Sequence, residues 1–171
     1  MTCSGVANDL NAQQDGHRAN INAMSYSKVG FSGEALPDNA SSWCAVKDNV
    51  TGLLWQNHQV PPATFTNWGD NRAGDASKYA ADNATLCGQS GWRLPTVDEL
   101  QSIVDYSKPF PGPTINTAWF PNTPSYSYYW ASSPYVGATP DLAWNVYFGR
   151  GNVGPNYRRY SHPVRWVRAS Q

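Results

Sequence analysis

The sequence predicts an α+β fold in which two helices accompany a twisted antiparallel sheet and long ordered loops. The 171 residues include 14 Gly, 13 Pro, 8 Trp and 10 Tyr but few long apolar periodic runs, which favours short strands and ordered loops over a helical bundle. Two segments have apolar residues at helical spacing, and aromatic strands alternate with Gly-rich turns after them. The order of these elements gives the α+β class. The length of the chain suits one domain with a sizeable core.

The first 42 residues differ in composition from the rest of the chain. Residues 1–42 are rich in Asn, Gln, Ser, Gly and Ala and show little periodicity, which is typical of an arm or linker that gains order only by lying on a domain. Residues 43–171 are therefore predicted to form the domain. Its first elements are two strands within Trp43–Trp55, joined by a turn at Asn49–Gly52.

The first helix is predicted between Asp75 and Cys87, with Gly88 as its C-terminal cap. Apolar residues recur through this segment at the spacing of one helical face. They are Ala76, Tyr79, Ala80, Ala84 and Leu86.

The second helix has a stronger start signal. Thr96 and Glu99 match a capping box, in which the hydroxyl and the carboxylate each bind a backbone N–H at the helix start. Pro95 favours an extended conformation just before it. The apolar residues that follow at helical spacing are Val97, Leu100, Ile103 and Val104. We therefore expect a helix that runs to about Tyr106, before Pro109 prevents its continuation.

Three aromatic segments predict strands in the C-terminal part, at Tyr128–Tyr135, Ala143–Phe148 and Val164–Arg168. In the middle segment, strict alternation places Trp144, Val146 and Phe148 toward the core and Asn145 and Tyr147 toward solvent. The tryptophans expected in the core are Trp92, Trp130, Trp144 and Trp166.

The segment after Phe148 has the composition of a recognition surface. Residues 149–162 combine Arg, Tyr, Asn and Gly with almost nothing that could pack inside a core. Tyr and Arg supply contact area and directed hydrogen bonds, while Gly and Asn shape loops. The residues predicted to bind ligand are Tyr126, Asn145, Tyr147, Arg150, Asn152, Asn156, Tyr157 and Arg159. The alternative is a polar, glycine-rich hairpin without a ligand.

Catalytic chemistry finds little support in the sequence. The three histidines, His17, His58 and His162, lie outside any nucleophile motif, and we expect His58 and His162 to be solvated loop residues. Asp98 and Glu99 are explained by their place in the first turn of a helix. No catalytic residue is therefore predicted, and the chain is not expected to be an enzyme.

Charge and hydropathy exclude two classes of partner. Twelve basic residues balance twelve acidic ones, so the electrostatic footprint of a nucleic-acid-binding protein is missing. No run of about 18 apolar residues exists, so no membrane insertion is expected. The start also lacks a charged and an apolar signal region, which suggests that the sequence begins inside a longer protein.

No cofactor or metal is predicted, with calcium as the alternative. A calcium site needs several convergent oxygen ligands. The local acidic cluster that could supply them consists of Asp70, Asn71, Asp75 and Asp82.

Three cysteines allow at most one internal disulfide. Cys44 and Cys87 each lie beside a motif that should reach the core, which favours their pairing. Two buried free thiols are the alternative, and Cys3 remains unpaired in either case.

The order and spacing of these motifs resemble a known family. They read DNxTGLxW, GWRLPTxxEL, YYWxSSPY, AWxVxF and VRxVR, and they extend from Trp43 to Arg168. Together they resemble the C-terminal domain family of collagen-like bacterial adhesins, the Lcl C-terminal domain. The resemblance implies a C-type lectin-like fold related to the sulfatase-modifying-factor proteins. Those enzymes use cysteines late in the domain, whereas this chain has none after Cys87.

The same resemblance implies a non-enzymatic domain that binds a protein or carbohydrate ligand. Its expected location is extracellular, on a bacterial cell surface or on a phage particle. Some proteins of the implied fold are variable proteins of diversity-generating retroelements, in which adenine-targeted mutagenesis rewrites surface codons. The predicted ligand-binding residues from Asn145 onward are of types reachable from adenine-rich codons. A fixed glycan-binding adhesin, a phage fibre module and, least favoured, a sulfatase-modifying-factor-like enzyme are the alternatives.

Overall fold

The computed structural model describes residues 23–57, 65–66, 85–108, 110–137 and 141–170. This part of the chain is built mostly from short antiparallel strands, with one short helix. The predicted two-helix α+β class, and with it the C-type lectin-like architecture, is therefore wrong for the described residues. Within them, no helix has the length and apolar character needed to cross a membrane.

The first and the last strand of the described chain belong to one five-stranded antiparallel sheet. Its strands are β1 (Tyr26–Val29), β2 (Ala35–Leu36), β3 (Ala45–Asp48), β4 (Leu53–Gln56) and β12 (Val167–Ala169), in the spatial order β12-β4-β3-β1-β2. The predicted strand, turn and strand within Trp43–Trp55 are confirmed as β3 and β4. Asp48 forms the turn between them, because its carboxylate accepts hydrogen bonds from the Val50 amide at 2.9 Å and the Thr51 hydroxyl at 2.7 Å.

The predicted arm contributes two strands to this sheet. β1 pairs with β3 along its whole length, and Tyr26 is buried in the core. The sheet therefore extends beyond the predicted boundary at residue 42. Residues 1–22 of the arm lie outside the described residues.

A second, three-stranded sheet has the order β10-β9-β8 and is also antiparallel. Its strands are β8 (Tyr128–Pro134), β9 (Leu142–Tyr147) and β10 (Asn152–Tyr157). Two short pairs complete the described strands. β5 (Phe65–Thr66) pairs with β11 (His162–Pro163), and β6 (Thr85–Leu86) pairs with β7 (Gln89–Ser90).

The helix α1 (Val97–Ser102) begins where the capping box predicts. The Glu99 amide donates to the Thr96 hydroxyl at 3.2 Å, and the Thr96 amide donates to the Glu99 carboxylate at 2.8 Å. Arg93 also binds Glu99, with a shortest N–O distance of 2.6 Å. The helix ends about one turn before Tyr106, because the Val104 amide bonds back to Gln101 instead of continuing the helical pattern.

The predicted first helix is wrong where the structure describes it. Thr85 and Leu86 form β6, while Cys87 and Gly88 both have positive φ, at 54° and 65°. Two successive left-handed residues make a tight turn and cannot continue a right-handed helix. Residues 75–84 of that prediction lie outside the described residues.

The disulfide between Cys44 and Cys87 is confirmed, so the alternative of two free thiols is wrong. It fixes the β6–β7 turn against the start of β3. Closing a loop between residues 43 positions apart restricts the unfolded chain and stabilises the fold by about 3–4 kcal/mol. Cys3 lies outside the described residues.

The buried side chains form two clusters on opposite faces of the five-stranded sheet. One joins Val46 and Trp55 of this sheet to Leu100 of α1 and to Tyr129 and Val146 of the three-stranded sheet. The second surrounds the disulfide and Leu54 and includes Trp92, Trp130 and Trp166, which are buried as predicted. Trp144 is only partly buried, contrary to expectation.

Candidate functional site

One face of the three-stranded sheet presents aromatic rings to solvent. Tyr147 of β9 lies directly opposite Tyr128 of β8 and Asn152 of β10, so the three side chains share a face. The two tyrosine rings stack with centroids 4.5 Å apart, and Tyr128 is 39% exposed. On the other face, Tyr129 and Val146 are fully buried, which anchors the strands to the core.

His162 of β11 lies against this face. Its ring centroid is 4.6 Å from that of the buried Trp130 and 5.3 Å from that of Tyr128. The Asn156 amide nitrogen lies 3.0 Å from His162 Nε2. If this nitrogen donates, Nε2 must be the unprotonated acceptor of a neutral imidazole.

The aromatic contacts continue into the segment that follows β10. Tyr160 lies 6.4 Å from His162 and 5.8 Å from Tyr157, centroid to centroid. The guanidinium of Arg159 lies 4.4 Å from the centre of the Tyr157 ring, within the range of a cation–π contact. We call the five rings in contact the aromatic row, which consists of Tyr147, Tyr128, His162, Tyr160 and Tyr157. Beside its end, Asp141, Tyr157, Arg158 and Arg159 line a cleft of about 230 Å³.

The row contains residues that sequence reasoning missed. His162 is partly buried between rings and is not the solvated loop residue that was expected. Tyr128 and Tyr160 were also outside the predicted set. The signal for them was the density of aromatic residues within residues 126–130, around Tyr128, and within residues 157–162, around Tyr160 and His162. The alternation within β9 does not show it.

Asn145 is the predicted site residue whose expected exposure is wrong. It is 2% exposed, and its amide nitrogen has no hydrogen-bond partner among the described residues. Asn145 pairs with Trp130 on β8, and β11 packs against that strand. Because β11 covers the outer face of the sheet at the level of Asn145, strict alternation along β9 does not predict which side chains reach solvent.

Tyr126 and Arg150 lie in a separate patch near the turn between β9 and β10. Tyr126 is 66% exposed and its ring meets the Phe110 ring edge-on, with centroids 6.5 Å apart. The Arg150 guanidinium lies 4.3 Å from the centre of the same Phe110 ring. The structure thus divides the predicted residues between the aromatic row with its neighbours and this smaller patch.

The ionisable groups of the described chain form no metal centre. No group of three or more His, Cys, Asp or Glu side chains in the described residues could hold a metal ion. The acidic cluster within residues 70–82 lies outside them. The Glu99 carboxylate binds the helix cap and Arg93. The hydrogen bond from Arg93 is the main cause that lowers the pKa of the Glu99 carboxyl group.

Burial lowers the pKa of His162, so the folded protein binds this proton less readily than the unfolded chain does. The stability that neutral His162 supports is therefore complete above the unfolded value of about 6.5 and is lost as pH falls through the folded value. We expect the free energy of unfolding to fall more steeply below about pH 6.5 in the native protein than in His162→Gln. Urea unfolding at stepped pH measures both slopes, and equal slopes would contradict this assignment.

Comparison with known proteins gives one family. The family model of the Lcl C-terminal domain matches residues 44–168, a span that includes the whole aromatic row. Among curated proteins, none matches the sequence significantly.

Proposed function

Because the chain belongs to the Lcl C-terminal domain family, we propose that it is an adhesin-like, non-enzymatic domain that binds a protein or carbohydrate ligand. Its proposed location is the surface of a bacterial cell or a phage particle. The observation that carries the proposal is the aromatic row, a set of half-exposed rings in mutual contact. It begins with Tyr128 and Tyr147 on the outer face of the three-stranded sheet and continues through His162 to Tyr160 and Tyr157.

The chemistry of the row suits recognition. Tyrosine rings offer apolar area and a hydroxyl at low entropic cost, so they dominate many binding surfaces. Asn152 and Asn156 lie on the same face as Tyr147 and add amide donors and acceptors beside the rings. Arg159 adds a cation that is held against Tyr157. A ligand could therefore stack on the rings while amides and guanidinium fix its orientation.

Buried residues also hold the rings of the aromatic row in place. Tyr128 and Tyr147 lie on strands whose alternate residues, including Tyr129 and Val146, are fully buried. His162 rests on Trp130, which is itself fully buried. Side chains held this way lose little further freedom when a ligand binds, which favours affinity.

The proposed ligand contacts are the exposed and half-exposed members of the predicted set. They are Tyr126, Tyr147, Arg150, Asn152, Asn156, Tyr157 and Arg159. Asn145 is left out because its side chain is buried.

A finer version of the proposal is that this surface is diversified by a retroelement. Tyr147, Asn152, Asn156 and Tyr157 of β9 and β10 are exposed or half-exposed, whereas Val146 between them in space is fully buried, so substitution at the former positions would disturb the core little. Sequencing of the genomic neighbourhood tests this version. It requires a second copy of the region encoding Tyr128–Arg168 that differs only at adenines, next to a reverse transcriptase gene. A neighbourhood without that copy would leave a fixed adhesin or fibre module.

Substitution of the row tests ligand binding directly. We expect Tyr147→Ala and Tyr157→Ala each to weaken binding by about 1–3 kcal/mol, because each removes the ring at one end of the aromatic row. Binding is measured first on an array of immobilised oligosaccharides and purified surface proteins, and then by titration of the ligand that the array identifies. Phe31→Ala is the matched control, since Phe31 is an exposed aromatic residue, 53% accessible, in the β1–β2 connection. Equal losses in all three variants, or a loss of folding, would count against the row as the binding surface.

A further inference from the structure

A second cleft lies on the five-stranded sheet, away from the aromatic row. Its volume is about 440 Å³, which is within the range of small-molecule sites. Val29, Leu54, Lys47 and Arg168 supply its sheet side, and residues 88–90 supply the facing wall. These sheet residues point away from Val46 and Trp55, so the cleft opens on the face opposite the larger core cluster.

Two cations face each other across the floor of this cleft. Leu54 pairs with Lys47 on one side and with Arg168 on the other, so all three side chains share a face. Two strand spacings separate the Cα atoms of the two cations by about 10 Å. Both side chains are long enough to reach one ligand between them. None of the described residues that line the cleft is acidic. The ion pair found among the described residues lies elsewhere, between Arg93 and Glu99.

Arg168 is held in place, and no carboxylate of the described residues forms an ion pair with it. It is 9% exposed, and one of its terminal nitrogens donates to the Gln89 side-chain oxygen. A neutral amide orients a guanidinium without neutralising it. A cation this deeply buried favours an anionic partner, because burial makes the attraction between opposite charges stronger than in water.

The wall of the cleft is fixed before any ligand arrives. The Cys44–Cys87 disulfide holds the β6–β7 turn against the sheet. A Cβ at Gly88 would lie 3.0 Å from the Ser32 backbone, so this close approach of two turns requires glycine. The two turns therefore form a rigid rim over the cations.

We propose that this cleft binds a small ligand with a carboxylate head and a short apolar body. The planar guanidinium of Arg168 can give a carboxylate two parallel hydrogen bonds, and the Lys47 ammonium can give a third. The exposed Ala35, with the accessible edges of the buried Val29 and Leu54, offers the apolar surface for the body. The site is separate from the aromatic row, so each proposal can fail without the other.

Titration of the whole chain with hexanoate tests the proposal, with hexanamide as the uncharged probe of equal shape. We follow the backbone amide signals of Gly33, Gly88, Gln89 and Ser90 by NMR. The expected result is saturable shifts at these amides with hexanoate and none with hexanamide. Lys47→Gln is expected to weaken hexanoate binding by about tenfold, the effect of losing one charge-assisted hydrogen bond. Lys108→Gln, at an exposed lysine elsewhere, should leave it unchanged.

A tripeptide, Ala-Ala-Leu, distinguishes the source of the carboxylate. Tighter binding of the tripeptide than of hexanoate identifies a chain end as the ligand, and the reverse identifies a free organic acid. Arg168→Lys keeps the charge but loses the paired hydrogen bonds, so it should also weaken binding. Equal shifts with hexanoate and hexanamide, shifts confined to other amides, or unchanged affinity in Lys47→Gln would overturn the proposal.

Discussion

Replacing Trp130 with alanine is expected to lower the free energy of unfolding by about 3–5 kcal/mol. The indole is fully buried in the cluster that surrounds the disulfide, so the smaller side chain leaves a cavity that its neighbours cannot fill completely. Urea unfolding measures the loss. Trp130→Phe keeps an aromatic ring and should lose clearly less. A loss below about 1 kcal/mol in the alanine variant would show that the site collapses around the smaller residue.

The same substitution is expected to affect the aromatic row. His162 rests on the Trp130 ring, with centroids 4.6 Å apart, and His162 in turn contacts Tyr128. Without the indole, His162 loses its buried support and the row loses its fixed spacing. Ligand affinity measured below the unfolding transition should therefore fall in Trp130→Ala, although Trp130 itself is not a proposed ligand contact. Unchanged affinity would mean that the row does not depend on this support.

The backbone features that sequence predicts correctly are those set by neighbouring residues. The capping box of α1 requires only Thr96 and Glu99 three positions apart. The turn between β3 and β4 depends on Asp48, Thr51 and Gly52, all within five residues. Local hydrogen bonds determine both, so distant parts of the chain can change them little.

The features that sequence predicts wrongly depend on distant contacts. Helical spacing before Gly88 does not show that Cys87 and Gly88 form a left-handed turn, although the pairing of Cys87 with Cys44 was predicted correctly. Alternation along β9 does not show that β11 packs against β8 and covers the level of Asn145. His162 likewise gains its ring contacts only when the chain returns to the sheet. The sequence therefore points to Tyr147 and Tyr157 at the two ends of the aromatic row, but not to Tyr128, His162 and Tyr160 between them.

Arg165→Ala is expected to destabilise the fold by about 3–5 kcal/mol, because it removes a large, fully buried side chain and leaves its acceptors unpaired. Arg165 is 1% exposed, and its terminal nitrogens donate to the Gln56 carbonyl at 3.1 Å and the Thr123 hydroxyl at 2.9 Å. Its guanidinium also lies 4.9 Å from the centre of the Phe120 ring. The described residues offer it no carboxylate, and burial lowers its pKa.

Arg165→Met separates packing from hydrogen bonding. Methionine fills much of the arginine volume but donates no hydrogen bond, so it should cost about 1–3 kcal/mol, the penalty for unpaired buried acceptors. Equal losses in the alanine and methionine variants would assign the effect to hydrogen bonding alone. Because Arg165 fixes the connection between β11, which carries His162, and β12, both variants should also weaken ligand binding by the aromatic row. A variant that loses stability but keeps full affinity would show that the position of His162 does not depend on Arg165.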